Sequence, residues 1–138
     1  MLKRSDFIGQ WVLDRRIDDR ITGQTGAFEG TATVAPVGAA GAAYHEVGIL
    51  RLGDGPGFTA ERRYLWQFEA ERVVVQFEDG RAFHSFCPEG EGAGSDHPCG
   101  ADYYQVVYDF GAWPRWQANW TVSGPRKDYR MRTAYRRG

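Results

Sequence analysis

The sequence predicts an all-β chain: a single antiparallel up-and-down β-barrel of about nine strands, preceded by a short N-terminal helical turn. Three observations carry this. Apolar and aromatic residues alternate with polar ones at period two along most of the chain, and helical periodicity is scarce. Clusters of Gly, Pro, Asp and Ser interrupt the alternation at short intervals. The 138 residues include 18 glycines and are 14% aromatic, which suits one closely packed domain spanning residues 1–138. Closure into a barrel removes the exposed edges that so many short strands would otherwise leave.

The elements follow in order. Ser5-Asp6-Phe7-Ile8-Gly9-Gln10 resembles a capped helix start. Strands are expected near 11–18, 26–35, 43–52, 58–68, 72–78, 81–87, 102–110, 115–123 and 127–136. The breaks are Gly38-Ala39-Ala40-Gly41, Gly53–Gly57, Asp79-Gly80, the segment 88–98 and Ser123-Gly124-Pro125. The segment 88–98 is glycine-rich and acidic and reads as a loop or lid over one barrel end.

One hairpin is placed in register by Asp79-Gly80, a strong two-residue turn signal. It sets Val75 opposite His84, Phe77 opposite Ala82 and Glu78 opposite Arg81, with Glu78–Arg81 as an exposed ion pair. His84 then faces inward with Val73, Val75, Phe77, Ala82 and Phe86, and Phe83 faces outward. The same parity carries polar residues inside along the other strands. Glu46 accompanies Tyr44; Arg62 accompanies Tyr64 and Trp66; Asp102 accompanies Tyr104, Val106, Tyr108 and Phe110. Lys127 shares a face with Tyr129, Met131 and Tyr135.

Two patterns resemble the lipocalin and calycin barrels. Gly9-Gln10-Trp11 precedes the first strand, and Ala101-Asp102-Tyr103 opens a late one. That resemblance implies a late arginine packed over Trp11, for which Arg132 and Arg136 are the candidates. A longer run of motifs covers nearly the whole chain: Phe7-x-Gly9-x-Trp11, Tyr44-x-Glu46-x-Gly48, Arg62-x-Tyr64-x-Trp66, Asp79-Gly80-Arg81-x-Phe83-His84, His97-x-Cys99-x2-Asp102-x-Tyr104, and Trp120-x-Val122-x-Gly124-Pro125-x-Lys127-Asp128-Tyr129. It is similar to an uncharacterised bacterial family, domain of unknown function 6314. The resemblance implies a lipocalin-like barrel with polar signature residues and no established activity.

Composition narrows the function. Seventeen basic residues against eighteen acidic ones argue against a general nucleic-acid binder. No apolar run is long enough for a membrane span, and no apolar stretch follows the N-terminus as a secretory leader would, so a cytoplasmic location is expected. Residues 125–138 hold six basic residues and one acid; this reads as the solvated face of a last strand, with phosphate or anionic lipid as the other option.

Charged side chains at inward positions need partners, because desolvation costs several kcal/mol per ion. Glu46, Arg62, Asp102 and Lys127 therefore indicate either an internal polar network or a wet cavity for an anionic ligand, with Arg62 and Lys127 as its anion contacts. The first expectation is a small-molecule binder, anionic or amphipathic, contacted by Glu46, Arg62, Tyr64, His84, Asp102, Tyr104 and Lys127. The alternative is a small enzyme on the same barrel, with His84 as acid/base, Asp102 orienting it and Tyr104 as a second donor. A third reading is haem or metal held by His84 or His97, with Cys99 a further metal candidate; no haem-specific motif is present and the spacing is not that of a zinc site. A Cys87–Cys99 disulfide is disfavoured by a cytosolic address. Cofactor identity and oligomeric state are not encoded in any motif.

Overall fold

The computed structural model describes residues 1–93, 97–99 and 101–138, the side chains of 92, 93 and 97–99 excepted. A single helical turn, α1 (Arg4–Phe7), opens the chain, and the Asp6 carboxylate accepts the Lys3 N–H at 2.7 Å to stop its start from fraying. Among the described residues eleven strands follow: β1 (Gly9–Asp19), β2 (Thr25–Val37), β3 (Gly41–Leu52), β4 (Phe58–Phe68), β5 (Val73–Phe77), β6 (Ala82–Phe86), β7 (Glu91–Ala93), β8 (His97–Cys99), β9 (Asp102–Ala112), β10 (Arg115–Ser123) and β11 (Asp128–Arg137). They form one antiparallel sheet in the order β6-β5-β4-β3-β2-β1-β11-β10-β9-β7, with β8 also paired to β9. The nine expected strands are all present. The sheet curls into a nearly closed barrel whose seam runs between β6 and β9. Part of the segment read as a loop instead supplies β7 and β8, both hydrogen-bonded to β9 along that seam.

Side chains bridge the seam as well. Phe86 of β6 stacks on Tyr108 of β9 with centroids 4.1 Å apart, and His84 reaches the same tyrosine. Tight curvature elsewhere depends on Gly30 and Gly48, which face each other across β2 and β3. A Cβ on either would lie 2.2 Å from a carbonyl oxygen of the opposite strand, so no larger residue fits there.

One end of the barrel is closed by aromatics. Phe7 is fully buried and meets Trp66, Phe110, Trp113 and Trp116 edge-on at 5.2–5.8 Å. The Trp11 indole donates to the Phe7 carbonyl at 2.9 Å. The arginine over Trp11 is Arg137, with its guanidinium 3.9 Å from the ring centroid, not Arg132 or Arg136. Parity explains the difference: Arg132 and Arg136 flank the inward Thr133 and Tyr135 and point to solvent. Arg137 has the parity of Thr133 and Tyr135 and is the ladder partner of Trp11 across β1 and β11, and its fork turns under the barrel to the Ile8 and Asp6 carbonyls.

The β5–β6 hairpin departs from the expected register. Val73–Phe86, Val74–Ser85 and Val75–His84 pair as expected, but the ladder then shifts so that Gln76 faces Ala82. Phe83 is the extra residue of this bulge. The turn holds three residues, Glu78–Gly80, closed by Phe77 N–H to the Arg81 carbonyl, with Gly80 at φ +89°. Arg81 consequently pairs with Asp79 at 2.6 Å rather than with Glu78. The bulge also exchanges two side chains: Ala82 is exposed and Phe83 turns inward.

Candidate functional site

The interior opposite the aromatic plug holds a cavity of about 240 Å³, reached from the end where β4 begins and β5 ends. Its walls come from β1, β3, β4, β5, β6, β9, β10 and β11, so nearly every long strand contributes. Aromatic faces dominate. Trp116 lies flat on Tyr135 at 3.7 Å, Tyr44 stacks on Trp66 at 5.4 Å, and Phe83 stacks on Trp120 at 5.2 Å.

Deep in the cavity wall sits an ion pair centred on a residue that sequence reasoning missed. Arg15 donates from Nη1 and Nη2 to the two Glu46 carboxylate oxygens at 2.7 and 2.9 Å, and from Nε to Thr133 Oγ1 at 2.8 Å. Both members are buried, Glu46 to 2% exposure. Arg15 alternates inward with Trp11 and Leu13, so the parity that located Glu46 would have located its partner too. Arg62 faces Glu46 across the β3–β4 ladder, but the bidentate position is taken by Arg15.

The network has a direction. Burial on its own would raise the Glu46 pKa, yet the Arg15 hydrogen bonds and charge outweigh it and hold the carboxyl below its ordinary value. Ionised Glu46 can only accept, so the Tyr44 hydroxyl at 2.7 Å donates to it. Tyr44 has then spent its proton, and the 2.8 Å contact with Tyr135 is a donation from Tyr135. Burial, with neighbouring phenols and Glu46, pushes Tyr44 well above the usual tyrosine range and Tyr135 up to about 12. Burial likewise raises Tyr108.

The other expected site residues divide into two groups. His84 is buried and its Nε2 lies 2.8 Å from the Tyr108 hydroxyl. Asp102 does not orient it; the Asp102 carboxylate binds Lys127 Nζ at 2.9 Å, and Lys127 also donates to the Tyr104 hydroxyl at 3.1 Å. The hydrogen bond to Asp102, then the one to Tyr104, hold the Lys127 ammonium above its usual pKa. The expected His84–Asp102 pairing is therefore not formed. Lys127, expected as an anion contact, is committed to Asp102 at the cavity mouth, where both are partly exposed. Arg62 and Tyr64 both line the cavity from β4, two residues apart and so about 7 Å along the strand. Among the described residues neither the Arg62 guanidinium nor the Tyr64 hydroxyl has a hydrogen-bond partner. Phe83, expected outside, lines the cavity because of the bulge. Cys87 is an exposed free thiol, and the side chains of His97 and Cys99 lie outside the described residues.

Residues 7–137, nearly the whole chain, match the model of a family of unknown function, DUF6314. The chain belongs to this family. Among solved structures, the DUF6314 barrel is similar to the S-type phycobiliprotein lyase CPES from Guillardia theta, with a TM-score of 0.70 over 98% of this chain and 90% of that one, at 10% identity. It is also similar to a de novo designed fluorescence-activating β-barrel, with a TM-score of 0.53 over the full length of both chains, at 16% identity. At such identities the likeness shows the fold alone. No curated protein matches the sequence.

Proposed function

We propose that this DUF6314 protein binds a small anionic amphipathic molecule in the barrel cavity, with Arg62 holding its charged group and Tyr64 a second polar atom about 7 Å further in. One observation supports this above the others. The buried pair Arg15–Glu46 and the partly exposed pair Asp102–Lys127 each satisfy themselves, while Arg62 and Tyr64 enter the same aromatic-walled space without partners among the described residues. A guanidinium fork at the mouth favours a carboxylate or phosphate. The aromatic walls favour an apolar body, and the volume favours a compact one. Glu46, Asp102, Tyr104 and Lys127 then shape the site without supplying its anion contact, and His84 contributes through Tyr108. Barrels of this fold include a phycobiliprotein lyase and a fluorescence-activating design, which is compatible with a ligand-holding interior.

The test is titration calorimetry of matched pairs of compact aromatic carboxylates and their neutral alcohols. Carboxylates should bind and alcohols should bind at least tenfold more weakly. Arg62→Gln should erase that preference, and Tyr64→Phe should weaken both. Equal binding of both members, or retention of the preference in Arg62→Gln, overturns the proposal.

An acid/base enzyme is the second reading, favoured by the buried His84–Tyr108 contact of 2.8 Å in the cavity wall. It is separated by His84→Ala. A binder keeps its affinity in that variant, whereas an enzyme loses turnover by orders of magnitude and keeps its fold.

A further inference from the structure

The outer wall of the barrel carries a feature that the cavity does not use. Strands β11, β1, β2 and β3 are neighbours, and ladder register aligns Arg132 with Arg16, Arg16 with Ala27, and Ala27 with Arg51. Each of these arginines points outward, because it flanks an inward residue: Thr133, Arg15 and Leu50. The three guanidiniums thus stand in one row across the sheet, with the small Ala27 leaving a trough between Arg16 and Arg51. Strand spacing puts the ends of the row about 14 Å apart. Arg130 and Arg20 border the same groove, whose volume is about 560 Å³. Among the described residues Asp18 is the one acid lining it.

This arrangement is unfavourable for the isolated barrel. Arg16 and Arg132 are directly opposed like charges, which destabilise a sheet. Among the described residues their compensation is slight: Arg16 has Asp14 at 3.9 Å, and Arg20, Arg51, Arg130 and Arg132 have no ion pair. Exposed aliphatic side chains lie beside the row. Ile49, two residues before Arg51 on the same outward face, is 43% exposed; Ile21, next to Arg20 in the turn after β1, is 57% exposed.

We propose that this wall docks onto an anionic membrane surface, arginines on lipid phosphates and Ile21 and Ile49 in the interfacial layer. The shape decides the source of the phosphate. The wall of a barrel is convex, so a single soluble phosphate would stay in water, where an exposed ion pair contributes little. A plane of phosphates engages several arginines at once, and their contributions accumulate. Nucleic acid offers a similar array of phosphates. Among the described residues, though, no aromatic side chain lines the groove for bases to stack on, and the aliphatic neighbours would gain nothing from it. The wall adjoins the open end of the barrel through Arg20 and Gly53, so docking would bring the mouth close to the bilayer.

The test is co-sedimentation of the full chain with vesicles of phosphatidylcholine alone or with one-third phosphatidylserine, across a salt series. Binding should require phosphatidylserine and weaken as salt rises. Arg16→Gln/Arg51→Gln/Arg132→Gln should weaken it on the order of a hundredfold, about fivefold per arginine. Ile49→Ser should weaken it while leaving the salt dependence intact. Arg72→Gln, remote from the row, should change nothing, and circular dichroism should show all variants folded. No binding, equal binding to neutral vesicles, or an unaffected triple variant overturns the proposal. Tighter binding to tripolyphosphate or a single-stranded oligonucleotide than to the anionic vesicles overturns it as well.

Discussion

The ion pair Arg15–Glu46 is the sharpest point at which to perturb the barrel. Glu46 accepts three hydrogen bonds, at 2.7 and 2.9 Å from Arg15 and 2.7 Å from Tyr44. Replacing it with Leu leaves a guanidinium with side-chain exposure of 8% facing an apolar group, and leaves Tyr44 without its acceptor. An uncompensated buried charge costs about 3–5 kcal/mol. For a chain of this size that lowers Tm by about 10 °C or more. Arg15→Met should cost a similar amount, because it strands the Glu46 carboxylate. The double variant Arg15→Met/Glu46→Leu removes both charges and keeps much of the volume. Only the neutral partners, Tyr44 and Thr133, are then deprived, at about 1–2 kcal/mol together. Urea unfolding followed by tryptophan fluorescence gives all three values. A double variant that loses as much as the two single variants combined would refute the pairing. So would a loss below about 1 kcal/mol in either single variant. The pH dependence gives a second measure. Glu46 is held below its unfolded pKa, so its contribution is present above that value and disappears as pH falls through the folded one. Glu46→Leu should therefore flatten the acid limb of the stability profile.

Three further outcomes are expected. Arg137→Ala should cost about 1–2 kcal/mol, because it removes the cation from the Trp11 face and the bonds to the Ile8 and Asp6 carbonyls; Arg137→Lys should recover only part of this in thermal unfolding. Gly48→Ala should destabilise by about 3 kcal/mol in urea unfolding, since its Cβ would meet the Glu29 carbonyl oxygen and Gly30 Cα, whereas Gly23→Ala, with nothing within 4 Å but φ +71°, should cost about 1 kcal/mol. In an ultraviolet titration of the seven tyrosines, Tyr44, Tyr108 and Tyr135 should ionise last. Their raised folded pKa values make stability full below about pH 10 and falling as pH rises towards the folded values; three early-titrating buried phenols would contradict the network.

Much of the fold was legible because alternation is a local property. Parity along β3, β4, β9, β10 and β11 correctly turned Tyr44, Glu46, Trp66, Tyr108, Trp116 and Tyr135 inward. What alternation cannot show is where it is interrupted. Asp79-Gly80 supports both a two-residue turn and a three-residue turn with Gly80 at its end, and the two differ by one residue of register. The barrel takes the second, and a bulge at Phe83 restores the pairing of Val75 with His84. The cost falls on Ala82, and the gain is an aromatic wall at Phe83. Partner choice was illegible for a different reason. Adjacent strands put Arg62 opposite Glu46, but the interior of a small barrel is narrow enough for side chains from non-adjacent strands to meet. Arg15, two strands from Glu46, crosses that space and wins the carboxylate.

That contest has a consequence for binding. Had Arg62 held Glu46, the mouth would present two neutralised pairs and no cation for an incoming anion. Because Arg15 reaches Glu46 with a bidentate fork, and adds Thr133 through its third donor, the internal pair closes on itself. Arg62 nevertheless still feels Glu46, whose carboxyl it helps to stabilise through space. An anion that docks on Arg62 must therefore compete with the field of Glu46, already largely cancelled by Arg15. Removing Arg15 alone should then lower ligand affinity as well as stability, since Arg62 would be drawn to the stranded carboxylate. The double variant Arg15→Met/Glu46→Leu frees Arg62 of that competitor and should restore carboxylate binding. Stability and affinity would thus recover together in the double variant, a pattern that simple damage to the core would not produce.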